Sequence, residues 1–290
     1  MSTTAPIRDR GADRRPASVP ARLPGLVRLG AARTAYEVRG FARERDAVVF
    51  VFLYPVVMLA IFATVFGSDE EVLAGSGVMF PQYFLPGMVA TGVMLSSFQA
   101  LATAVAVERD DGTLKRLRAT PLPAAAYFLG KTGQVLITSA LQTAVLLVVA
   151  ALVFDVPMPD DAGRWWTFLW VALLGTAAGA VCGVAFSALP RSGRSVSAVV
   201  TPVVLVLQFI SGVFFRFDQL PTWMQQVAGV FPLKWLAQGM RSVFLPDEAA
   251  ALEPSGSWQH GLTAAVLAAW LVAGLVVGVR TFRWRRRDDG

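Results

Sequence analysis

Six apolar stretches constrain this chain more than any motif in it. They cover residues 47–66, 83–107, 133–154, 165–189, 196–215 and 261–279, and none contains Asp, Glu, Lys or Arg. A hydrocarbon core about 30 Å thick takes roughly 20 helical residues to cross. Lipid offers no water to a backbone N–H or carbonyl, and a helix satisfies both within one segment. The sequence therefore predicts an all-α, polytopic integral membrane protein with six transmembrane helices.

The charges orient it. Of the 26 Lys and Arg residues, 22 fall in alternate gaps between the stretches. Ten precede the first, from Arg8 to Arg45. Arg109, Lys115, Arg116, Arg118 and Lys131 lie between the second and third, Arg191 and Arg194 between the fourth and fifth. Arg280, Arg283, Arg285, Arg286 and Arg287 follow the last. The opposite gaps hold only Arg164, Arg216, Lys234 and Arg241. Short loops rich in Lys and Arg stay on the cytoplasmic side. Both termini are expected in the cytoplasm and the chain in the cell membrane. The net charge of +6 sits where anionic lipid headgroups would meet it, so lipids rather than nucleic acid are the expected partner.

The flanking segments divide further. Residues 1–24 are rich in Pro and Arg, and a disordered cytoplasmic tail is expected there. No secretory signal is evident, since the first apolar run begins only at Ala47. In 25–46, Leu26, Leu29, Ala32, Ala35 and Tyr36 recur at helical spacing among Arg residues, which reads as an amphipathic helix along the cytoplasmic surface. A six-helix membrane body then covers 47–282 and a basic tail 283–290. The gap 216–260 is long yet apolar, in two blocks that meet at Phe231–Pro232. Each block is too short to span, and together they predict two short re-entrant helices. Gly175, Gly179, Gly183, Gly274 and Gly278 recur every four residues. They suit either a subunit seam or packing inside one chain.

The polar chemistry is mostly negative. Ion-driven carriers place ionisable groups at membrane depth, and the six stretches have no acidic or basic side chain. Gly130-Lys131-Thr132 matches the end of a phosphate-binding loop, but position 125 is Ala125 where that loop needs Gly, and no strand precedes it. One cysteine, Cys182, cannot form an internal disulfide, and one histidine, His260, makes no metal site by itself. No catalytic, cofactor-binding or metal-binding residue is assigned. A transporter of this composition takes its energy from outside its spans.

The gap after the second stretch is the most informative polar region. Asp111-Gly112 is a turn signal. Thr113, Leu114, Lys115, Arg116, Leu117 and Arg118 can then form one short helix, with Thr113 as N-cap, Leu114 and Leu117 on one face and basic side chains around them. Thr120-Pro121-Leu122-Pro123 ends it. Such a helix suits a partner's cleft; an ordinary basic membrane-surface loop fits the same composition.

Two stretches carry a family resemblance. One runs over 108–131, through Glu108, Gly112-Thr113, Arg116-Leu117, Thr120-Pro121-Leu122 and Gly130-Lys131. The other holds Ser211-Gly212-Val213-Phe214-Phe215, Leu220-Pro221, Phe231-Pro232-Leu233 and Gly239-Met240-Arg241. Together they resemble the type-2 ABC transporter permeases, and most of all the daunorubicin-exporter-like membrane subunits. The resemblance implies a transport subunit with no ATPase motifs of its own. Two permease subunits, expected as a homodimer, would each dock on a separate cytoplasmic ATPase carrying ATP and Mg. Asp111 to Arg118 would be the coupling helix, with Glu108 supporting it by pairing with nearby basic residues. The helix in 25–46 would be the interface helix. Phe214, Phe215, Pro221, Phe231, Pro232 and Leu233 would belong to the re-entrant outer gate.

Ser96, Ser97, Gln99, Gln142 and Gln208, with Thr143 and Ser211, are the uncharged polar groups offered to a cavity lining. They suit an amphipathic, drug-like or lipid-like cargo, as in antibiotic export. Hydrogen bonding between helices accounts for them equally. Polysaccharide or lipid-glycan export and a non-transporting membrane scaffold are the alternative readings.

Overall fold

The computed structural model describes residues 25–67, 71–72, 76–189 and 193–282. The expected tails at 1–24 and 283–290, with Arg191, lie outside the described residues. Every regular element among the described residues is helical. α1 (Leu26–Arg43) ends at Glu44, earlier than the sequence pattern suggests, and α2 (Arg45–Phe66) starts at once. α3 (Phe80–Met94), a π-helical turn at Leu95–Gln99 and α4 (Ala100–Asp110) form one 31-residue helix. At 1.5 Å per residue it is about 46 Å long. α5 (Thr113–Arg118), α6 (Ala124–Val153), α7 (Ala162–Phe186), α8 (Gly193–Ile210), α9 (Thr222–Val230), α10 (Pro232–Phe244) and α11 (His260–Thr281) complete the order.

Among the described residues, five helices are long and apolar enough to cross a membrane: α2, the α3–α4 helix, α6, α7 and α11. α8 stops at Ile210, short of Phe215, where the fifth apolar stretch ends. The cause is Gly212, whose φ of +72° turns the chain left-handed. Helices end readily where glycine takes that conformation. A Cβ there would also stand 2.7 Å from Cβ of Phe217, so the turn folds tightly onto the next segment.

α3 is the centre of the fold. Every residue from Tyr83 to Met94 is buried, with α2, α6, α7 and α10 packed around it. Lipid-like uniform apolarity suits a helix enclosed on all sides, which needs no polar face. Phe62 and Phe84 stack at 4.6 Å, and Phe214 lies 5.6 Å from Phe62. The glycine repeats pack within the chain: Gly175 faces Leu236, Gly179 faces Ser97, and Gly274 faces Val181 and Cys182. A Cβ on Gly183 would come within 2.6 Å of the Phe98 carbonyl oxygen.

The segment 216–245 breaks at Phe231–Pro232 as the sequence predicts. α10 is not a lipid-facing helix, however. It is buried from Leu233 to Phe244, enclosed by α3, α7 and α11, while α9 exposes Trp223, Val227 and Val230. The long helix sets two ends. At the end of α4 lie α5, α1 and the tail of α11, whose Phe282 ring is 5.0 Å from that of Phe128. At the start of α3 lie α9, α10 and the turn Asp247–Leu252, where Gln82 Nε2 donates to the Phe244 carbonyl at 2.9 Å.

Candidate functional site

The end of the α3–α4 helix builds a rigid mount for α5. Asp111 closes α4, and Gly112 reverses the chain with φ +77°, a value that costs glycine little. Gly112, not Thr113, is the N-cap residue; the acceptor comes from Asp111, whose Oδ1 receives the Thr113 N–H at 2.8 Å. Arg116 Nη2 donates to Thr113 Oγ1 at 3.1 Å. Leu114 is 1% exposed and fixes α5 against the body. Leu117 is half-buried, so the two leucines are not one open apolar face. Lys115, Arg116 and Arg118 point outward as an exposed basic edge.

Directly before this mount, Glu108 enters a buried ionic knot. Lys131, only 3% exposed, sends its ammonium to Glu108 Oε1 at 2.5 Å and to Glu37 Oε2 at 2.8 Å. Arg33 pairs with Glu37 Oε1 at 2.5 Å, and the Tyr127 hydroxyl donates to Glu108 Oε2 at 2.7 Å. The two cations and two anions balance. Buried charges persist where they are paired and hydrogen-bonded. The knot joins α1, α4 and α6, three elements that the sequence separates widely.

The Gly130-Lys131 pair therefore has a structural account. A Cβ on Gly130 would lie 2.2 Å from Arg33 Cγ and 3.2 Å from the Arg33 backbone carbon. One on Gly133 would lie 2.3 Å from Thr34 Oγ1, and one on Gly30 would lie 3.0 Å from Leu129 Cβ. These glycines let α1 and α6 cross with their backbones close, and the crossing delivers Glu37 to Lys131. Sequence reasoning assigned Glu108 a basic partner but missed Glu37, Arg33 and Tyr127. The available signal was a lone acid amid the Arg-rich face of α1.

The other nominated residues fall elsewhere. Ser96 and Ser97 are buried at the π-helical turn, donating to their own helix at Gly92 O (2.8 Å) and Val93 O (2.6 Å). Gln99 Nε2 reaches Thr201 at 3.3 Å, and Gln208 accepts from the Tyr54 hydroxyl at 3.1 Å. Gln142 is buried against Gly92, its amide without a hydrogen-bond partner. Phe214 and Leu233 are buried at the far end. Phe215 and Pro221 are exposed there, and Phe231 and Pro232 are half-buried. Phe231 stacks on Trp270 at 6.0 Å.

The four cations in the sparse gaps are all held at that far end. Arg164 Nη1 donates to Leu245 O at 2.6 Å and Nη2 pairs with Asp247 at 3.3 Å. Arg216 pairs with Asp218 at 2.6 Å, and that hydrogen bond raises its pKa further above the usual guanidinium value. Lys234 donates to Gln238 and lies 3.7 Å above the Trp235 ring. Arg241 pairs with Glu253 at 2.6 Å.

Comparison with known proteins places the whole arrangement. The sequence model of the ABC-2 type transporter family matches residues 31–245, from α1 to the end of α10. The inner membrane transport permease YadH of Escherichia coli K12 is 24% identical over 198 residues, 66% of this chain and 74% of YadH. YadH of Shigella flexneri matches to the same extent. The probable multidrug ABC transporter permease YbhR of E. coli K12 is 20% identical over 177 residues, 61% of this chain. The match spans about half the length of YbhR, 47%. With a family match running from the α1 crossing through α10, the chain belongs to the ABC-2 type transporter family.

Proposed function

We propose that this chain is the membrane-spanning subunit of an ATP-driven exporter and that α5 is the element by which a separate cytoplasmic ATPase moves it. The observation that carries the reading is the mount of α5. A six-residue helix with an exposed basic edge is fixed through Asp111, Gly112 and Leu114 to the end of a 31-residue membrane helix. A push on α5 is a push on that helix. The charge distribution supports a cytoplasmic location for this end, with the far end outside. Two copies of the chain, each seated on one ATPase, would alternate between inward- and outward-open states. The driving energy is the difference in ATP affinity of the ATPase pair between those states. The cargo is an amphipathic organic molecule, in keeping with the uncharged polar groups Gln99, in the π-helical turn, and Gln208, on α8.

The test is stoichiometric co-purification of the tagged chain from its own host, followed by mass spectrometry. A soluble ATPase is expected to accompany the wild type and to be lost from the triple variant Lys115→Glu, Arg116→Glu, Arg118→Glu. Those side chains are exposed, so the variant is expected to fold. Recovery of the chain alone, or an ATPase retained by the triple variant, would overturn the docking role of α5.

A further inference from the structure

Arg241 is the least expected buried group in the chain. It is 1% exposed, yet it carries a charge and lies in a helix of only 13 residues. Its guanidinium leaves α10 in two directions. Nε donates to Glu253 Oε1 at 2.6 Å, and Nη1 donates to the Gly212 carbonyl at 3.1 Å. Glu253 is 3% exposed and follows the turn Asp247–Leu252 on the way to α11. Gly212 is the left-handed residue that cuts α8 short. One planar fork therefore ties together α10, the end of α8 and the approach to α11. Arg suits this task because its donors sit in a fixed planar array, which a Lys ammonium lacks.

The neighbouring bonds reinforce the same block. Gln238, one turn earlier on the same face of α10, donates to the carbonyls of Ser257 at 3.3 Å and Trp258 at 2.9 Å. His260 and Ser242 meet at 2.8 Å. Beneath Gly212, the Val213 backbone rests on Gly87 of α3, where a Cβ would come within 3.0 Å of the Val213 carbonyl oxygen. Breaking Arg241 from Glu253 alone would leave a buried carboxylate without its counter-ion, which is costly.

We infer that Arg241 is the positioning residue of a latch at the end opposite α5, binding 210–217, 241–245 and 252–258 into one unit that opens or stays shut as a whole. That this end faces outside, so that the latch is an outer gate, rests on the proposed function. The latch itself does not. During outward opening, α10 would carry the turn after α8 with it, and no hinge would lie between them.

The experiment is hydrogen–deuterium exchange on the full chain in detergent, read by peptide mass spectrometry, for the wild type and Arg241→Lys. It needs neither ATPase nor cargo, so it can fail while the transport reading stands, and the reverse. In the wild type the three segments are expected to open at a common rate. In Arg241→Lys, which keeps the charge but not the fork, all three are expected to exchange at least tenfold faster, with α5 peptides unchanged. Wild-type rates that differ by more than tenfold among the segments would overturn the latch. So would acceleration of 252–258 alone, which would make Arg241 a mere loop anchor. The wild-type measurement decides the matter even if the variant does not accumulate.

Discussion

Lys131 and Glu108, 23 positions apart, meet at 2.5 Å on the inner side of the α1–α6 crossing, and Lys131 holds Glu37 at 2.8 Å as well. Its ammonium bridges those two carboxylates, and each would face the other's charge without it. Lys131→Met is expected to destabilise the fold by about 3–5 kcal/mol, the usual result of stripping one partner from a buried pair. The double change Glu108→Gln with Lys131→Met, which leaves the Arg33–Glu37 pair in place, is expected to recover most of that loss. Thermal unfolding in detergent checks both. A double variant no better than the single one would show that charge balance is not what the knot supplies.

The α1 seat can be tested on its own. At Gly133 a larger side chain meets Thr34, and at Gly130 it meets both the side chain and backbone of Arg33. Gly130→Val is expected to cost about 1–3 kcal/mol, the range of forced overpacking. The loss should appear first as release of α1. Limited proteolysis between α1 and α2, at Glu44, is the readout: faster cleavage in the variant with the remaining helices intact is expected.

Leu114 separates folding from docking. It is buried, whereas the basic residues that follow it, Lys115, Arg116 and Arg118, are exposed. Leu114→Ala is expected to lower stability by about 2–3 kcal/mol, and Arg116→Glu to leave the melting temperature within a degree or two. If Leu114→Ala melts with the wild type, α5 is not anchored through that side chain.

Lys234 gives a pH dependence. Burial, the largest effect, pushes its ammonium down from the ordinary lysine value to about 8; Glu253 opposes the shift and Arg241 adds to it. The folded pKa lies below the unfolded one, so between pH 8 and about 10.5 the unfolded chain holds more of the proton. Stability from this group therefore rises with pH across that window, and the penalty is complete below it. Relative to Lys234→Met, the wild type is expected to gain on the order of 2 kcal/mol between pH 7.5 and 10. Melting curves of both proteins at the two pH values measure it. A constant difference would place Lys234 in a wetter setting than its contacts indicate.

What the sequence made legible follows from what lipid enforces. Uninterrupted apolar runs placed α2, α7 and α11 within a few residues of their observed bounds, because charge is excluded from such segments whatever packs beside them, whereas α6 starts earlier than its run, at Ala124, and takes in Lys131. Local turn chemistry was legible too. Asp111-Gly112 starts α5 and Phe231-Pro232 divides α9 from α10, since both depend on neighbours in sequence. The early end of α8 was not, because residues 211–215 are apolar enough to continue a span and only the conformation at Gly212 stops them. Nor was the enclosure of α10: its Gln238 and Arg241 find their partners only when Glu253 and the Ser257–Trp258 carbonyls are brought beside them. The same holds for the ionic knot. Glu108 could be nominated from its position at a helix end, but Glu37 lies 94 residues from Lys131 and only the glycine crossing brings them together.

The π-helical turn at Leu95–Gln99 fixes the angular phase between the two halves of the long helix. Each α-helical residue advances about 100° around the axis, so one residue more or less in that turn would rotate everything below it by that amount. Above the turn, α3 is set in azimuth by Gly87, which faces the Val213 backbone, and by Gly92, which faces Gln142. Below it, α4 has one correct azimuth, the one that points Glu108 at Lys131. The long helix thus behaves as a shaft keyed at both ends. A one-residue deletion within 95–99 would leave its apolar length almost unchanged while turning one key out of its slot.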